Sequence, residues 1–328
     1  MTEMNYLEAI NAGIREEMAA DDKVLIFGED VGGDKGGVFG VTKGLAAEFG
    51  DHRCFNTPLT EALIGGLANG LGLVGYRAIG EFQFADYILP AVNQILSETK
   101  TMRWRTKSDW TTPIVFRAPY GGGIRGGLYH SQSTEKVLAG HPGLRIVTPS
   151  SAYDAKGLIK AAIRSDDPVI FYEHKKLYRL LKDEIPEEDY TVPLDKANVV
   201  KEGNDLTVIA YGAMLQHAIK GAEALKDEGI DAEVIDVRSI YPLDKETFVN
   251  SAKKTGKVLL VTEDNKEGSV MSEISSIIAE EALFDLDAPI ERLAGPDVPS
   301  MPFAIDLERE FVVSEEQVIE AMRKLAEF

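Results

Sequence analysis

Strand-like apolar runs and helix-length periodic stretches alternate along the chain, through both halves of the sequence. Such alternation points to parallel sheets covered by helices, an α/β fold class with two parallel or mixed-sheet domains. Lys23–Phe27 reads as a buried strand, Thr60–Val74 as a helix rich in Gly and Ala, and Ala78–Phe84 as a strand. Asp86–Arg105 has the length of a long helix, with Pro90 expected to limit or kink its first turn. Pro113–Arg117 and Leu144–Thr148 read as strands and Ala152–Arg164 as a helix, and the strand Val169–Tyr172 closes a first domain over residues 1–178. From Lys175 to Asn204 the periodicity lapses into charges and prolines (Pro186, Pro193). Residues 179–204 therefore read as a linker, with Lys182–Tyr190 its most exposed part. A second domain over 205–328 opens with the strand Leu206–Tyr211. Helices at Met214–Asp227 and Lys245–Lys254, a strand at Val258–Val261 and a helix at Met271–Ala282 follow. The last helix opens at Ser314, with Gln317 as its capping-box partner, and is expected to run to the final residue.

Composition narrows the picture. The chain has 328 residues, 44% apolar and 27% charged, enough to bury two ordinary cores. No apolar run approaches the roughly 20 residues of a membrane span, and the start of the chain lacks a secretory pattern. A single cysteine, Cys54, excludes an internal disulfide framework and fits a reducing cytoplasm. The five scattered histidines and one cysteine make no zinc site. A net charge of −19 argues against nucleic acid as a partner. The charge is uneven: residues 201–328 carry 13 basic and 27 acidic side chains, a net of −14. That is either a well-solvated surface or a docking face for a basic partner.

Four segments could carry chemistry. In Phe55–Gly66, Thr60 stands where an N-cap would, which puts Glu61 in the first turn of a Gly-rich helix, where the dipole favours a carboxylate. Glu61 is either simply a first-turn acid or a site residue. Gly65, Gly66 and Gly70 would let another backbone approach closely, which a subunit interface needs and a surface helix does not. Glu81–Tyr87 places aromatics at a strand end, as core or as pocket wall. Tyr120–Ser133 holds five glycines within residues 121–127 and ends in His130, flanked by Tyr129, Ser131, Gln132 and Ser133. This loop fits neither the Walker pattern nor GxGxxG placed directly before a helix. Finally, Phe27–Val31 puts Glu29 and Asp30 just past the first strand, as supporting acids or as a solvated turn, the turn being the simpler reading.

Together these segments resemble the β subunits of thiamin diphosphate-dependent 2-oxo acid dehydrogenase first components. The likeness runs from Tyr6 to Phe328 and rests on FGEDV, NTPLTE, QFADY, RAPYGGG and YHSQS in that order. QFADY and YHSQS are more similar to the branched-chain (2-oxoisovalerate) type than to the pyruvate type. The resemblance implies a pyrimidine-binding thiamin-fold domain followed by a transketolase C-terminal-like domain. It implies that Glu61 contacts N1′ of the cofactor's aminopyrimidine, in a dry site that raises its pKa. His130 would stand at the substrate end and assist acyl transfer to a lipoyl arm. Phe84 and Tyr87 would line the cofactor pocket, with Leu59 beside the ring.

The chain contains no Gly-Asp-Gly, the family's start of a Mg²⁺ and diphosphate site. The resemblance therefore implies an α subunit that supplies it, in an α₂β₂ heterotetramer, and an acyltransferase core bound through the acidic C-terminal domain. Relatives also hold potassium at positions matching Ile114 and Val115, and at Ala162, Ser165 and Asp167; Val115 replaces a hydroxyl ligand there. Pyruvate or acetoin as substrate, or a non-catalytic scaffold role, remain the alternatives.

Overall fold

The computed structural model describes residues 1–328, which fall into two compact units, 1–120 with 140–194 and 121–139 with 195–328. The glycine-rich segment expected in the first domain thus clusters with the second half of the chain.

The first unit contains β1 (Thr2–Asn5), α1 (Tyr6–Ala20), β2 (Val24–Gly28), α2 (Leu45–Phe49), β3 (Cys54–Asn56), α3 (Glu61–Leu73) and β4 (Arg77–Glu81). It continues with α4 (Met102–Arg105), β5 (Ile114–Tyr120), β6 (Arg145–Val147), α6 (Ala152–Arg164), β7 (Val169–His174) and β8 (Lys182–Ile185). Six strands form a parallel sheet in the order β6-β7-β5-β4-β2-β3. Burial on both faces explains the unbroken apolar run Val24–Phe27, every residue of which is buried. Helix α1 starts on a capping box, with the Asn5 side chain on the Glu8 N–H and the Glu8 carboxylate on the Asn5 N–H. It lies against α6 so closely that a Cβ at Gly13 would stand 2.6 Å from the Ile159 side chain.

Two expectations fail here. The stretch Asp86–Arg105 is not one helix but a 3₁₀ segment at Ala85–Ala91, a π turn at Gln94–Glu98, a 3₁₀ turn at Thr99–Thr101 and the short α4. Pro90 supplies no N–H, and two hydroxyls compete for backbone carbonyls: Thr99 donates to Gln94 at 3.0 Å and Thr101 to Ser97 at 2.6 Å. The stretch read as a linker is also partly ordered as strand. Within it β8 pairs antiparallel with β1, Thr2 opposite Ile185, and Ile185 and Val192 are buried.

The second unit contains α5 (Glu135–Leu138), β9 (Asn198–Lys201), β10 (Leu206–Ala210), α7 (Ala213–Lys226), β11 (Ala232–Asp236), β12 (Ser239–Tyr241) and α8 (Lys245–Thr255). Beyond these come β13 (Val258–Asn265), α9 (Val270–Ala282), β14 (Glu291–Gly295), α10 (Ile305–Phe311) and α11 (Glu315–Ala326). Its sheet runs β14-β13-β10-β11-β9, parallel except for the edge strand β9. The Ser314–Gln317 capping box opens α11, which ends at Ala326 rather than at the last residue. No helix is long and apolar enough to cross a membrane.

One polar cluster interrupts the first sheet's core. Arg117 on β5 is fully buried between Glu81 on β4 and Glu173 on β7. Its guanidinium bonds Glu173 in bidentate fashion at 2.6 and 2.8 Å and also bonds Glu81, while the Tyr178 hydroxyl donates to Glu173 at 2.6 Å. Burial lifts the Glu81 carboxyl to about 6, although Arg117 opposes the shift. Removing the arginine would leave two buried carboxyls facing each other. Arg117→Ala should therefore cost about 3–5 kcal/mol, read as a lower denaturant midpoint. The uncharged triple variant Arg117→Met, Glu81→Gln, Glu173→Gln should recover much of that loss, since no unpaired buried charge remains.

Candidate active site

Strands β4, β2 and β3 are neighbours and parallel, with Gly28 in register with both Asn56 and Glu81. The segments that leave their carboxyl ends therefore emerge side by side, at the edge where α/β sheets build sites. From β2 comes Glu29, from β3 Leu59 and Glu61, from β4 Phe84 and Tyr87. The rings of Phe84 and Tyr87 meet edge to face at 5.9 Å, and Phe39 stands edge to face with Phe84 at 5.5 Å. Phe84 is buried, whereas Leu59 is 78% exposed and Glu61 is half-buried. Thr60 occupies the N-cap position of α3, but its hydroxyl donates to the Leu59 carbonyl and does not cap the helix.

The simpler reading of Phe27–Val31 is overturned. Glu29 is only 5% exposed, and its Oε1 has no hydrogen-bond partner. Burial raises its pKa, the negative charge of Glu61 raises it further, and a bond from the Thr60 backbone opposes both. A turn acid in water would feel none of this. Glu29 is therefore a buried acid at the same strand edge as Glu61. Its signal in the sequence was slight: two acids after a strand, with nothing to mark which one faces inward. Asp30 is the one that turns outward, at φ 60° and bridged to Lys35.

The glycines of α3 divide between two faces. Gly65 packs inside the unit, where a Cβ would stand 2.9 Å from that of Gln94. Gly66 and Gly70 have nothing within 4 Å, and on their side Leu63 and Val74 are exposed. Only Gly66 and Gly70 remain available for an approach from outside.

His130 lies in the second unit, at the end of the glycine-rich loop. Its Nδ1 is 3.3 Å from the Gly126 carbonyl, and the adjacent Ser131 is fully buried. Just beyond, Glu135 is buried with Tyr211 donating to it at 2.7 Å. Burial, and then the nearby Asp264 carboxylate, push Glu135 up to about 8.

The positions matched to potassium lie elsewhere. Ile114 begins β5, and Ala162, Ser165 and Asp167 lie just before β7, so both groups sit at the amino ends of the parallel strands, opposite Glu61. Some oxygens of the second group already have cationic partners. Arg77 donates to the carbonyls of Ile163 and Ser165 at 3.0 Å each, and Arg103 binds the Asp167 carboxylate at 2.5 Å. The Ser165 carbonyl and the Asp167 carboxylate are thus already engaged, and no group of three or more acidic, His or Cys side chains is arranged for any metal. Cys54 is buried, and its thiol is pushed up to about 11 by desolvation, which leaves it no role as a nucleophile.

Residues 2–180 match the transketolase pyrimidine-binding domain and residues 195–318 the transketolase C-terminal domain. The chain is 56% identical to the 2-oxoisovalerate dehydrogenase subunit beta of Bacillus subtilis, over the whole of both sequences. It is 43% identical, again over the whole of both, to the pyruvate dehydrogenase E1 component subunit beta of the same organism. The chain belongs to the 2-oxo acid dehydrogenase β subunits. A split-gene transketolase described as an inactive β₄ tetramer shares the fold, with a TM-score of 0.79 at 23% identity, covering 98% of this chain and 97% of that one.

Membership in this thiamin diphosphate-dependent family poses a question of fit. A carboxyl at the head of α3, beside a buried acid and an aromatic pair, suits a protonatable heterocycle. No glycine-loop donors are left over for a diphosphate at Gly122, Gly123 and Arg125, whose N–H groups already bind Glu263 and Glu308. These three N–H groups are therefore not available to the cofactor's charged tail.

Two outcomes test these electrostatics. Replacing Glu61 with Gln should lower the pKa of Glu29, followed by the carboxyl carbon shift of labelled glutamate; an unmoved midpoint would refute the coupling. For Glu135, the folded state holds a proton that the unfolded chain, titrating near 4.5, has released. Its contribution to stability is present below pH 4.5 and lost as pH rises through about 8. Glu135→Gln should thus raise the denaturation midpoint at pH 8.5 and change it little at pH 4.

Proposed function

We propose that this β subunit serves a branched-chain 2-oxo acid dehydrogenase, decarboxylating substrates such as 2-oxoisovalerate and passing the acyl group to a lipoyl arm. The observation that carries this reading is full-length identity of 56% to a 2-oxoisovalerate dehydrogenase subunit against 43% to a pyruvate dehydrogenase subunit. Pyruvate stays as the second substrate to test because that likeness also spans the whole chain.

Thiamin diphosphate, when bound, supplies the nucleophilic carbon that makes decarboxylation of a 2-oxo acid feasible. Glu61 would hold and return a proton at N1′ of the aminopyrimidine. Glu29 beside it supports that role, since a neighbouring carboxyl that resists ionisation keeps a proton close by. Leu59 would pack against the ring, and Phe84 with Tyr87 would keep water from it. His130 would orient the oxygen of the reacting group and assist transfer to the lipoyl sulfur.

The half-covered Glu61, exposed Leu59 and the open Gly66–Gly70 side of α3 support an α subunit that completes the site and brings Mg²⁺ and the diphosphate cradle. The expected assembly is an α₂β₂ heterotetramer in the cytoplasm. An acyltransferase core would dock on the acidic second unit, where Glu280, Glu281 and Asp285 stand exposed beside a fully exposed Phe284.

The enzyme reconstituted with its α partner should turn over 2-oxoisovalerate faster than pyruvate; the reverse order would move the chain to the pyruvate type. Glu61→Ala should cost about 10²–10⁴-fold in turnover. Full activity in both Glu61→Ala and His130→Ala would leave only a scaffold role. Reversing Glu280, Glu281 and Asp285 to lysine should weaken core binding and flatten its salt dependence, as read by titration at several ionic strengths.

A further inference from the structure

The glycine-rich loop is shaped like an anion site, and its anions come from the protein itself. Gly121, Gly123, Arg125 and Gly127 all have positive φ, between 57° and 85°. Left-handed residues spaced this way turn neighbouring N–H groups toward a common concavity, which ordinarily receives a phosphate. Here the Glu308 Oε1 accepts from Gly123 at 3.2 Å and from Arg125 at 2.9 Å, and the Glu263 Oε1 accepts from Gly122 at 2.5 Å. Both carboxylates are 5% exposed. The apolar side of the loop is equally filled. A Cβ on Gly122 would strike the Met301 sulfur, and one on Gly127 the Phe303 ring, each at 2.5 Å.

We propose that Glu308 is the positioning residue for His130. The bond from Arg125 to Glu308 fixes the backbone one residue before Gly126, whose carbonyl lies 3.3 Å from His130 Nδ1. A carbonyl oxygen accepts and never donates, so Nδ1 carries the proton and Nε2 is the basic nitrogen of the neutral ring. Glu308 thereby sets the tautomer and the direction of the imidazole through two intervening residues, without touching it. Bonds from N–H groups to an ionised carboxylate are stronger than neutral ones, which suits a loop with five glycines and little stiffness of its own. Glu308 does this from α10, far along the chain. The functional consequence rests on the reading of His130 as a catalytic group; the clamp itself does not.

The test uses the assembled enzyme carrying Glu308→Ala, Glu308→Gln, His130→Ala and the double variant Glu308→Ala/His130→Ala. Alanine favours helix, so α10 is retained, and glutamine keeps one neutral acceptor. Amide exchange across residues 121–130, followed by mass spectrometry, should quicken at least about tenfold in Glu308→Ala and stay near wild type in Glu308→Gln. The kcat of lipoyl-dependent turnover should fall about tenfold or more in Glu308→Ala with KM for the 2-oxo acid held within about twofold, and Glu308→Gln should restore most of it. The double variant should be no slower than His130→Ala alone. Unchanged exchange in Glu308→Ala, or losses that multiply in the double variant, would overturn the proposal. Should His130→Ala keep full turnover, the catalytic reading of His130 fails, and the exchange result alone then upholds or overturns the clamp.

Discussion

Parallel strands all point the same way, so every carboxyl end in the first sheet reaches one edge and every amino end the other. Much of this chain's chemistry follows from that constraint. Residues separated by more than fifty positions, Glu29 and Phe84 among them, leave neighbouring strands at the same edge without any long-range contact having to be built for the purpose. The same geometry sets the positions matched to potassium at the far edge, where arginines engage the Ser165 carbonyl and the Asp167 carboxylate. It also forces the sheet interior to be apolar or fully paired. The Arg117 cluster meets that demand with a bidentate bond, a second carboxylate and a tyrosine hydroxyl. Because Glu81 closes β4 and Glu173 stands near the end of β7, the cluster lies toward the carboxyl edge and stiffens the ground beneath it.

Glu29 and Glu61 show what that edge tolerates. A carboxyl buried next to a second negative charge is harder to ionise. Glu29, buried and with one oxygen left without a partner, is held above the usual carboxylate range in this way. A stability-driven fold would have placed an apolar residue or a cation there.

The α/β class, the order of elements and the cap of α11 were legible because each is written in short-range terms: periodicity of two or 3.6, a Ser three residues before a Gln. Helix α1 is written in the same short-range terms, with Asn5 and Glu8 as its box. The stretch 86–105 has the length of one helix but does not form it, because hydroxyl competition at Thr99 and Thr101 and the missing N–H of Pro90 act together. Strand β8 escaped because its partner is the chain's first segment, and a charged edge strand has no apolar signature of its own. Leu59, Glu61, Phe84 and Tyr87 could be named from motif and strand-end position. Glu29 could not be told from its neighbour Asp30, since the sign of φ at one residue decides which acid faces inward, and that is set by packing around Val31 and Asn56.

The glycine-rich loop carries the same lesson further. Five glycines before a histidine invite the reading of a phosphate cradle, and the backbone does adopt a cradle's shape. Whether such a loop binds a ligand depends on which anion occupies it, and here the fold itself holds Glu263 and Glu308 against its N–H groups. An external phosphate would have to displace two buried carboxylates and leave them uncompensated, a cost no surface ion repays. On the proposed reading the cofactor's charged tail must then be held by another polypeptide. With its anion nest filled by its own carboxylates, the chain on that reading contributes half of a site.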